Sequence, residues 1–290
     1  MNKLNVAIFG AGYVGNYLYK TLLDNQEIEN VFLIKRESLD YTHEENVQDF
    51  LSKNNIFTVV NASGFTGRPN VDACEDEKAN TFKMNVALPA MLAGICTNRG
   101  IDLHHISSGC IYSGYEVLYT ENHVPDFGLE NPISSWYSKT KHMAEIFLKD
   151  YLEGIKIYRI RMPFCSEGKD RNYLTKLRNY PNLLDAVNSK THIPGFCEIV
   201  SSIISDRSYY GESFTLNVCN PNPLSTKEIV DIYNKHGKGR ADWKFIPYEE
   251  LPIKAQRSNC VMDTSKLTEL GFSFAEEAEA MDKCLSEITF

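Results

Sequence analysis

The chain has 290 residues, 43% of them apolar and 23% charged, with a formal net charge of −8. That size and mixture suit a packed α/β molecule with a substantial core rather than a disordered chain. The acidic balance (pI about 5.5) argues against a general nucleic-acid or membrane-surface binder, though it leaves room for a local basic pocket that takes a phosphate.

No stretch approaches the length of a membrane span. The opening MNKLNVAIFGAG passes straight into a strand pattern and lacks the long apolar segment and cleavage site of a signal peptide. The eight cysteines are scattered with no C-x-x-C pair, so neither a zinc site nor a disulfide framework is expected, and no metal is assigned. A cytoplasmic, reducing location follows as the expectation.

Short β-rich runs alternate with helical patterns. LNVAIF (4–9), VFLIK (31–35), FTVVNAS (57–63), LHHISS (103–108) and KIYRIRM (156–162) read as strands. Between the first two, Val14, Leu18 and Leu22 recur at helical spacing. Between the fourth and fifth, YSKTKHMAEIFLKDYLEG places Ala144, Phe147, Leu148 and Tyr151 on one face, with Gly154 as its stop. Such alternation predicts an α/β fold, a Rossmann-type doubly wound parallel sheet built from βαβ units.

Further on, SFTLNVC (213–219) reads as a strand returning to the sheet. The segment NPLSTKEIVDIYNKHG opens with a capping box, Ser225 to Glu228, and Leu224 can staple against Ile229. Proline and glycine spread through 163–195 and 237–252 suit a smaller, loop-rich C-terminal region. The expected division is a cofactor-binding part over 1–162, completed by the strand and helix around 213–237. Residues 163–290 form a mainly substrate-binding region interleaved with it.

GAGYVG sets Gly10, Gly12 and Gly15 between the first strand and first helix, with Tyr13 and Val14 inside the turn. Gly10 permits the tight turn, Gly12 lets backbone approach a pyrophosphate, and Gly15 permits close helix–strand packing. The motif alone is weak; strand before and helix after is the context that dinucleotide binding requires. About twenty residues on, an NAD enzyme carries an acid for the ribose 2′-hydroxyl, whereas here the strand ends in Lys35-Arg36. Two cations suit a 2′-phosphate and favour NADPH; a solvated strand end is the alternative.

Tyr137 and Lys141 stand four residues apart at the start of a helix and share one face. A phenol titrates near pH 10 unaided, and a neighbouring ammonium favours its phenolate, which makes the pair a proton donor or acceptor near neutrality. With GAGYVG upstream and Ser108 just past the fourth strand, the chain resembles the extended short-chain dehydrogenase/reductase family. The resemblance implies a Ser108–Tyr137–Lys141 triad beside the nicotinamide. It also implies a structural and proton-relay role for Asn85, and a cofactor-side loop at Asn61, Ala62 and Ser63 in NASG.

Further blocks narrow the resemblance: GFTGRPNVDACE (64–75), SSGCIY (107–112), WYSKTKHMAE (136–145), RIRMP (159–163), RNYLTK (171–176) and RSNCVMDTSKL (257–267). Together they are similar to the reductase branch that makes nucleotide-activated rhamnose. Within it they are most similar to bifunctional synthases that carry out 3,5-epimerisation and 4-reduction of UDP-4-keto-6-deoxy-D-glucose to UDP-L-rhamnose. Single-function dTDP-4-dehydrorhamnose reductases usually carry an acidic residue and an aromatic after the triad hydroxyl, where this chain has Gly109 and Cys110. In the bifunctional branch a cysteine at the latter place serves epimerisation, and a lysine that maps onto Lys176 is its partner.

By the same resemblance Arg257 lies near the substrate diphosphate, although Ser258 replaces the usual following proline. Arg68 and Asn172 touch sugar or cofactor, or are purely structural. The implied ligands are NADPH and a nucleotide-sugar, UDP-linked by preference. A homodimer through helices flanking the tyrosine helix is the oligomer that relatives suggest. Two other readings stay open: a dTDP-4-dehydrorhamnose reductase without epimerase activity, and a non-catalytic NADP-binding regulatory subunit. Trp243 and the cysteines other than Cys110 read as packing residues.

Overall fold

The computed structural model describes residues 3–151 and 153–290. Met1 and Asn2 of the opening stretch, and Leu152 in the segment after Tyr137, lie outside the described residues. Six strands build the central sheet: β1 (Leu4–Phe9), β2 (Ile28–Ile34), β3 (Thr58–Asn61), β4 (Asp102–Ser108), β5 (Ile155–Ile160) and β6 (Phe214–Asn217). Their order is β6-β5-β4-β3-β1-β2, and every pairing is parallel. The Rossmann-type expectation is met, with strand ends shifted by a few residues.

Helix α1 (Tyr13–Leu23) leads from β1 outward to β2, and α2 (Glu44–Lys53) carries the chain back past β1 to β3. From β3 onward the strands advance in the opposite direction. The sheet's winding therefore reverses between β1 and β3, where the carboxyl ends of adjacent strands open a crevice for a ligand.

Both faces of the sheet are covered, which is why its central strands are almost continuously buried rather than alternating. On one face Leu18 and Leu22 of α1 pack with Phe196, Val200 and Ile203. On the other, Val47 and Leu51 of α2 pack with Leu92, Ile95 and Leu148. A separate apolar cluster gathers Phe164, Leu174, Leu183, Ile229, Tyr233, Met281 and Leu285 away from the sheet.

Helix α3 (Leu88–Arg99) precedes β4, and α4 (Trp136–Lys149) follows it. Gly154 does not stop α4: the helix ends at Lys149 with Asp150 as cap, and Gly154, at φ +75°, turns the chain into β5. Nor does Phe147 join the packed face; it is 48% exposed. The packed face is rotated because α4 turns polar residues, Thr140, Lys141 and Glu145, against the sheet.

Strand β6 enters the sheet as expected, but the helix after it, α6 (Thr226–Lys235), packs in the separate cluster. The helix that covers the sheet there is α5 (Ile193–Ser205), whose apolar face lies against α1. Ser225 and Glu228 form the expected capping box on α6, and Leu224 packs in one cluster with Ile229. Among the described residues, no helix is long and apolar enough to cross a membrane.

Candidate active site

The glycine turn sits at the carboxyl end of β1. A Cβ on Gly10, at φ +108°, would stand 2.6 Å from the Ser63 backbone nitrogen, and one on Gly15 would stand 2.0 Å from the Gly10 carbonyl oxygen. Nothing lies within 4 Å of the corresponding point on Gly12. Gly12 is also the N-cap of α1, with no side chain capping the helix and no acidic residue in its first turn. Open space over an uncapped helix N-terminus is what a pyrophosphate occupies, so this turn fits a dinucleotide.

Around it, Asn61 accepts hydrogen bonds from the Ser63 amide (3.2 Å) and hydroxyl (2.5 Å), and its amide group faces His105 Nδ1 at 3.1 Å. Ala62 lines the approach to Gly15. Tyr13 turns its hydroxyl onto Cys165 Sγ at 3.0 Å, and Val14 packs beneath, against the sheet. Lys35 and Arg36 follow the end of β2 and are exposed, with Arg36 reaching Met84 Sδ at 3.7 Å.

Ser108 ends β4 and caps a 3-10 turn over 109–111, its hydroxyl accepting from the Cys110 amide at 3.2 Å. Tyr137 and Lys141 approach it from the first turns of α4, which begins at Trp136 because Ser135 caps it. Burial is the main influence on Tyr137 and pushes its phenol up; Cys110 adds to this, and the Ser108 hydroxyl opposes it. Desolvation thus favours the neutral phenol, the donor form of the two that the Tyr–Lys spacing allows. Burial also draws the Lys141 ammonium down to about 8, with Glu145 and Cys110 opposing. Its Nζ donates to the Ile106 carbonyl at 3.1 Å.

Asn85 lies on a π-helical turn, Lys83–Ala87. Its side chain accepts from the Phe65 amide (2.7 Å) and donates to the Phe65 carbonyl (2.9 Å) and to Thr140 Oγ1 (3.2 Å). It thereby ties the loop after β3 to the residue next to Lys141. Such π turns recur at functional sites.

Several residues of the site were missed from the sequence. Glu145, one turn beyond Lys141, accepts from Ser107 Oγ at 2.6 Å and from Arg159 Nη2 at 2.6 Å. Burial works against its charge, but the Arg159 guanidinium wins and holds the carboxyl down at about 2. This buried pair anchors α4 to β4 and β5, and so holds Tyr137 and Lys141 in place. Arg161, two residues along from Arg159, reaches Cys110 Sγ at 3.6 Å. The signal was present in RIRMP, where two arginines share one face of a strand.

Cys110 is half-buried, whereas the other seven cysteines are buried and all eight are free. Lys176 lies on the short helix Tyr173–Asn179 in the chain's loop-rich region, half-buried, with no hydrogen bond to Cys110 among the described residues. Burial and the nearby Arg171 draw its ammonium downward. Arg171 itself donates to the Gly67 carbonyl at 2.8 Å, and Arg68 is exposed beside it.

Asn172 is fully buried, caps the helix at Leu174 and donates to the carbonyls of Cys165 and Glu167. Those bonds spend its amide internally and favour the structural alternative over a ligand contact. Arg257 grips Asp72 through both Nη atoms at 2.8 Å, so its fork is occupied by a carboxylate of the chain. Trp243 packs edge-on to Tyr233, as a packing residue does.

A parallel doubly wound sheet, an open glycine turn at its switch point and a Ser–Tyr–Lys cluster beyond β4 describe a dehydrogenase/reductase of the short-chain type. More narrowly, the chain belongs to the RmlD family of nucleotide-sugar reductases: it matches the RmlD substrate binding domain over residues 4–290. It is 36% identical over 219 residues to a bifunctional dTDP-4-dehydrorhamnose 3,5-epimerase/dTDP-4-dehydrorhamnose reductase of Arabidopsis thaliana, covering 72% of this chain and 69% of that protein. A trifunctional UDP-glucose 4,6-dehydratase/UDP-4-keto-6-deoxy-D-glucose 3,5-epimerase/UDP-4-keto-L-rhamnose-reductase of the same plant is 33% identical over 280 residues. That match takes in 91% of this chain but only 39% of the longer protein. The crystal structure of the L780 UDP-rhamnose synthase from Acanthamoeba polyphaga mimivirus superposes with a TM-score of 0.85 at 25% identity, covering 99% of this chain and 100% of that one.

Proposed function

We propose that the chain is an NADPH-dependent 3,5-epimerase/4-reductase that converts UDP-4-keto-6-deoxy-D-glucose to UDP-L-rhamnose. The observation that carries the reading is Cys110: the only cysteine of the eight that is not fully buried stands two residues past Ser108 and within the field of Tyr137. The names of the bifunctional and trifunctional relatives and of the mimiviral synthase support it. In this reading residues 1–162 with β6 hold the cofactor, and most of 163–290 holds the sugar nucleotide.

Gly10, Gly12 and Gly15, with Tyr13 and Val14, form the pyrophosphate turn; Asn61, Ala62 and Ser63 line the adenosine side. Lys35 and Arg36 meet the 2′-phosphate. NADPH, when bound, supplies the hydride for C4.

The chain's own groups move the protons. A C4 ketone acidifies the hydrogens at C3 and C5, so inversion needs a base on one face and an acid on the other. Cys110 takes the proton, leaving the electron pair on the C4 oxygen as an enolate, and Lys176 returns a proton to the opposite face. Ser108 holds the carbonyl oxygen. Tyr137, protonated, gives its proton to the C4 oxygen during reduction, and Lys141 keeps a positive charge beside it. Arg257, through its pair with Asp72, shapes the loop near the diphosphate, and Arg68 supplies charge there.

Incubation with UDP-4-keto-6-deoxyglucose and NADPH should yield UDP-rhamnose. The dTDP substrate is tested beside it, because one relative is named for that nucleotide. Failure to consume NADPH on both ends the reading. A product formed only after a separate epimerase is added would make the chain a simple reductase. A Tyr137→Phe change without consequence would favour a non-catalytic NADP-binding subunit. Cys110→Ala should lower epimerisation far more than reduction of an already epimerised ketone; equal losses would remove the thiol's separate role.

A further inference from the structure

Arg159 and Arg161 stand two residues apart at the end of β5, but among the described residues only Arg159 has a carboxylate against it. Arg159 is paired with Glu145. Arg161 is 1% exposed and donates to Ser258 Oγ (2.8 Å), the Ser258 carbonyl (2.5 Å), Asn188 Oδ1 (2.6 Å) and Cys110 Sγ (3.6 Å). None of these is a carboxylate, and its Nε has no partner among the described residues. A guanidinium does not shed its proton, so this charge stays, buried and unneutralised.

Its place is fixed. The Arg161 amide donates to Thr191 Oγ1 at 3.1 Å, and the next residue, Met162, turns the chain sharply at φ +39°. Three thiols feel the guanidinium's charge: Cys260, Cys110 and Cys219. Cys219 and Cys260 are fully buried, and that burial pushes both thiols up, the first to about 12. Of the three thiols, Cys110 alone is not fully buried, and it alone receives a hydrogen bond from an Nη of Arg161.

We propose that Arg161 is the positioning residue of the epimerisation step, the fixed counter-charge that holds Cys110 as a thiolate aimed into the site. This deepens the epimerase reading and takes its purpose from it. In the step itself a C–H bond of the sugar breaks and an S–H bond forms; the electron pair passes to the C4 oxygen. Arg161 keeps its charge throughout; it contacts the sulfur but neither gives nor takes a proton, and acts on the sugar only through Cys110. Cationic neighbours are the usual source of reactive thiolates.

The test is alkylation of Cys110 by iodoacetamide at pH 7, followed by mass spectrometry of its peptide, in wild type, Arg161→Gln and Arg161→Lys. The thiolate displaces iodide, so the rate reads the thiolate population. The glutamine variant should react at least tenfold more slowly, and the lysine variant should stay within about threefold of wild type. Wild-type rates in the glutamine variant, or equal slowing in both, overturn the proposal. Should Arg161→Gln lack a cooperative melt, the wild type carries the test through thiolate absorbance at 240 nm. That band should be present at pH 7 and missing in Cys110→Ala; its absence from the wild type overturns the proposal. Deuterium uptake at C5 from heavy water without NADPH tests the epimerase reading separately. Slowed alkylation in the variant with no uptake in wild type would leave Arg161 as counter-charge and refute epimerisation.

Discussion

Met262 closes the space over Gly109: its Sδ lies 2.3 Å from where a Cβ on Gly109 would stand. That contact gives a packing reason for the chain's departure from the acidic residue that single-function reductases carry there. Met262 is 4% exposed and has little freedom to withdraw. Gly109→Ala should cost about 1–3 kcal/mol by overpacking, read from urea unfolding. The contact predicts coupling: in Gly109→Ala/Met262→Ala the two costs should fall short of their sum. Simple additivity would show that Gly109 is kept for another reason.

Gly10 and Gly12 should separate folding from binding. Alanine at Gly10 meets the Ser63 backbone and a left-handed φ, so the melting temperature should drop sharply. Alanine at Gly12 meets nothing in the chain, and the residue's φ is −81°. Gly12→Ala should therefore stay within about 0.5 kcal/mol of wild-type stability, as ordinary surface changes do. NADPH affinity in the same variant should fall tenfold or more by fluorescence titration. Unchanged affinity would mean that the pyrophosphate lies elsewhere.

The contrast between these glycines marks how far the sequence could be read. The turn, Ser108 and the Tyr137–Lys141 pair are local patterns, legible because a few consecutive residues set their geometry. The cap role of Asn172 was legible in the same way, since asparagine just before a helix is a common N-cap. Arg257 is different: its carboxylate, Asp72, lies 185 residues away, and no spacing rule joins them. Glu145 and Arg159 carry no local pattern that pairs them, and only the sheet brings them together with Ser107. The π turn under Asn85 has no residue signature at all. Apolar periodicity marked Ala144, Leu148 and Tyr151 of the packed face, and Phe147 alone misled, because part of the sheet-facing side of α4 is polar.

Lys141 sets a pH limit on reduction. Its buried ammonium titrates near 8, so the charge beside Tyr137 is lost as pH rises through that value. kcat/KM on an epimerised 4-ketone, which reports the free enzyme, should fall about tenfold per unit above the break. Glu145 helps keep the proton on Lys141, so Glu145→Gln should move the break to lower pH. A profile flat to pH 10 would show that the ammonium is not needed.

Glu145 should also account for part of the protein's acid sensitivity. Its carboxyl is fully buried and held at about 2, against an ordinary value of 4.5. The folded value lies below the unfolded one, so the stabilisation is complete above pH 4.5 and is lost as pH falls toward 2. A depression of that size corresponds to about 3 kcal/mol. Glu145→Gln strips Arg159 of its buried salt-bridge partner and should cost about 3–5 kcal/mol at pH 7. Because the glutamine cannot titrate, the stability gap between the two proteins should narrow as urea unfolding is repeated from pH 5 down to pH 3. A gap that stays constant with pH would assign the cost to lost packing and hydrogen bonds rather than to the buried charge.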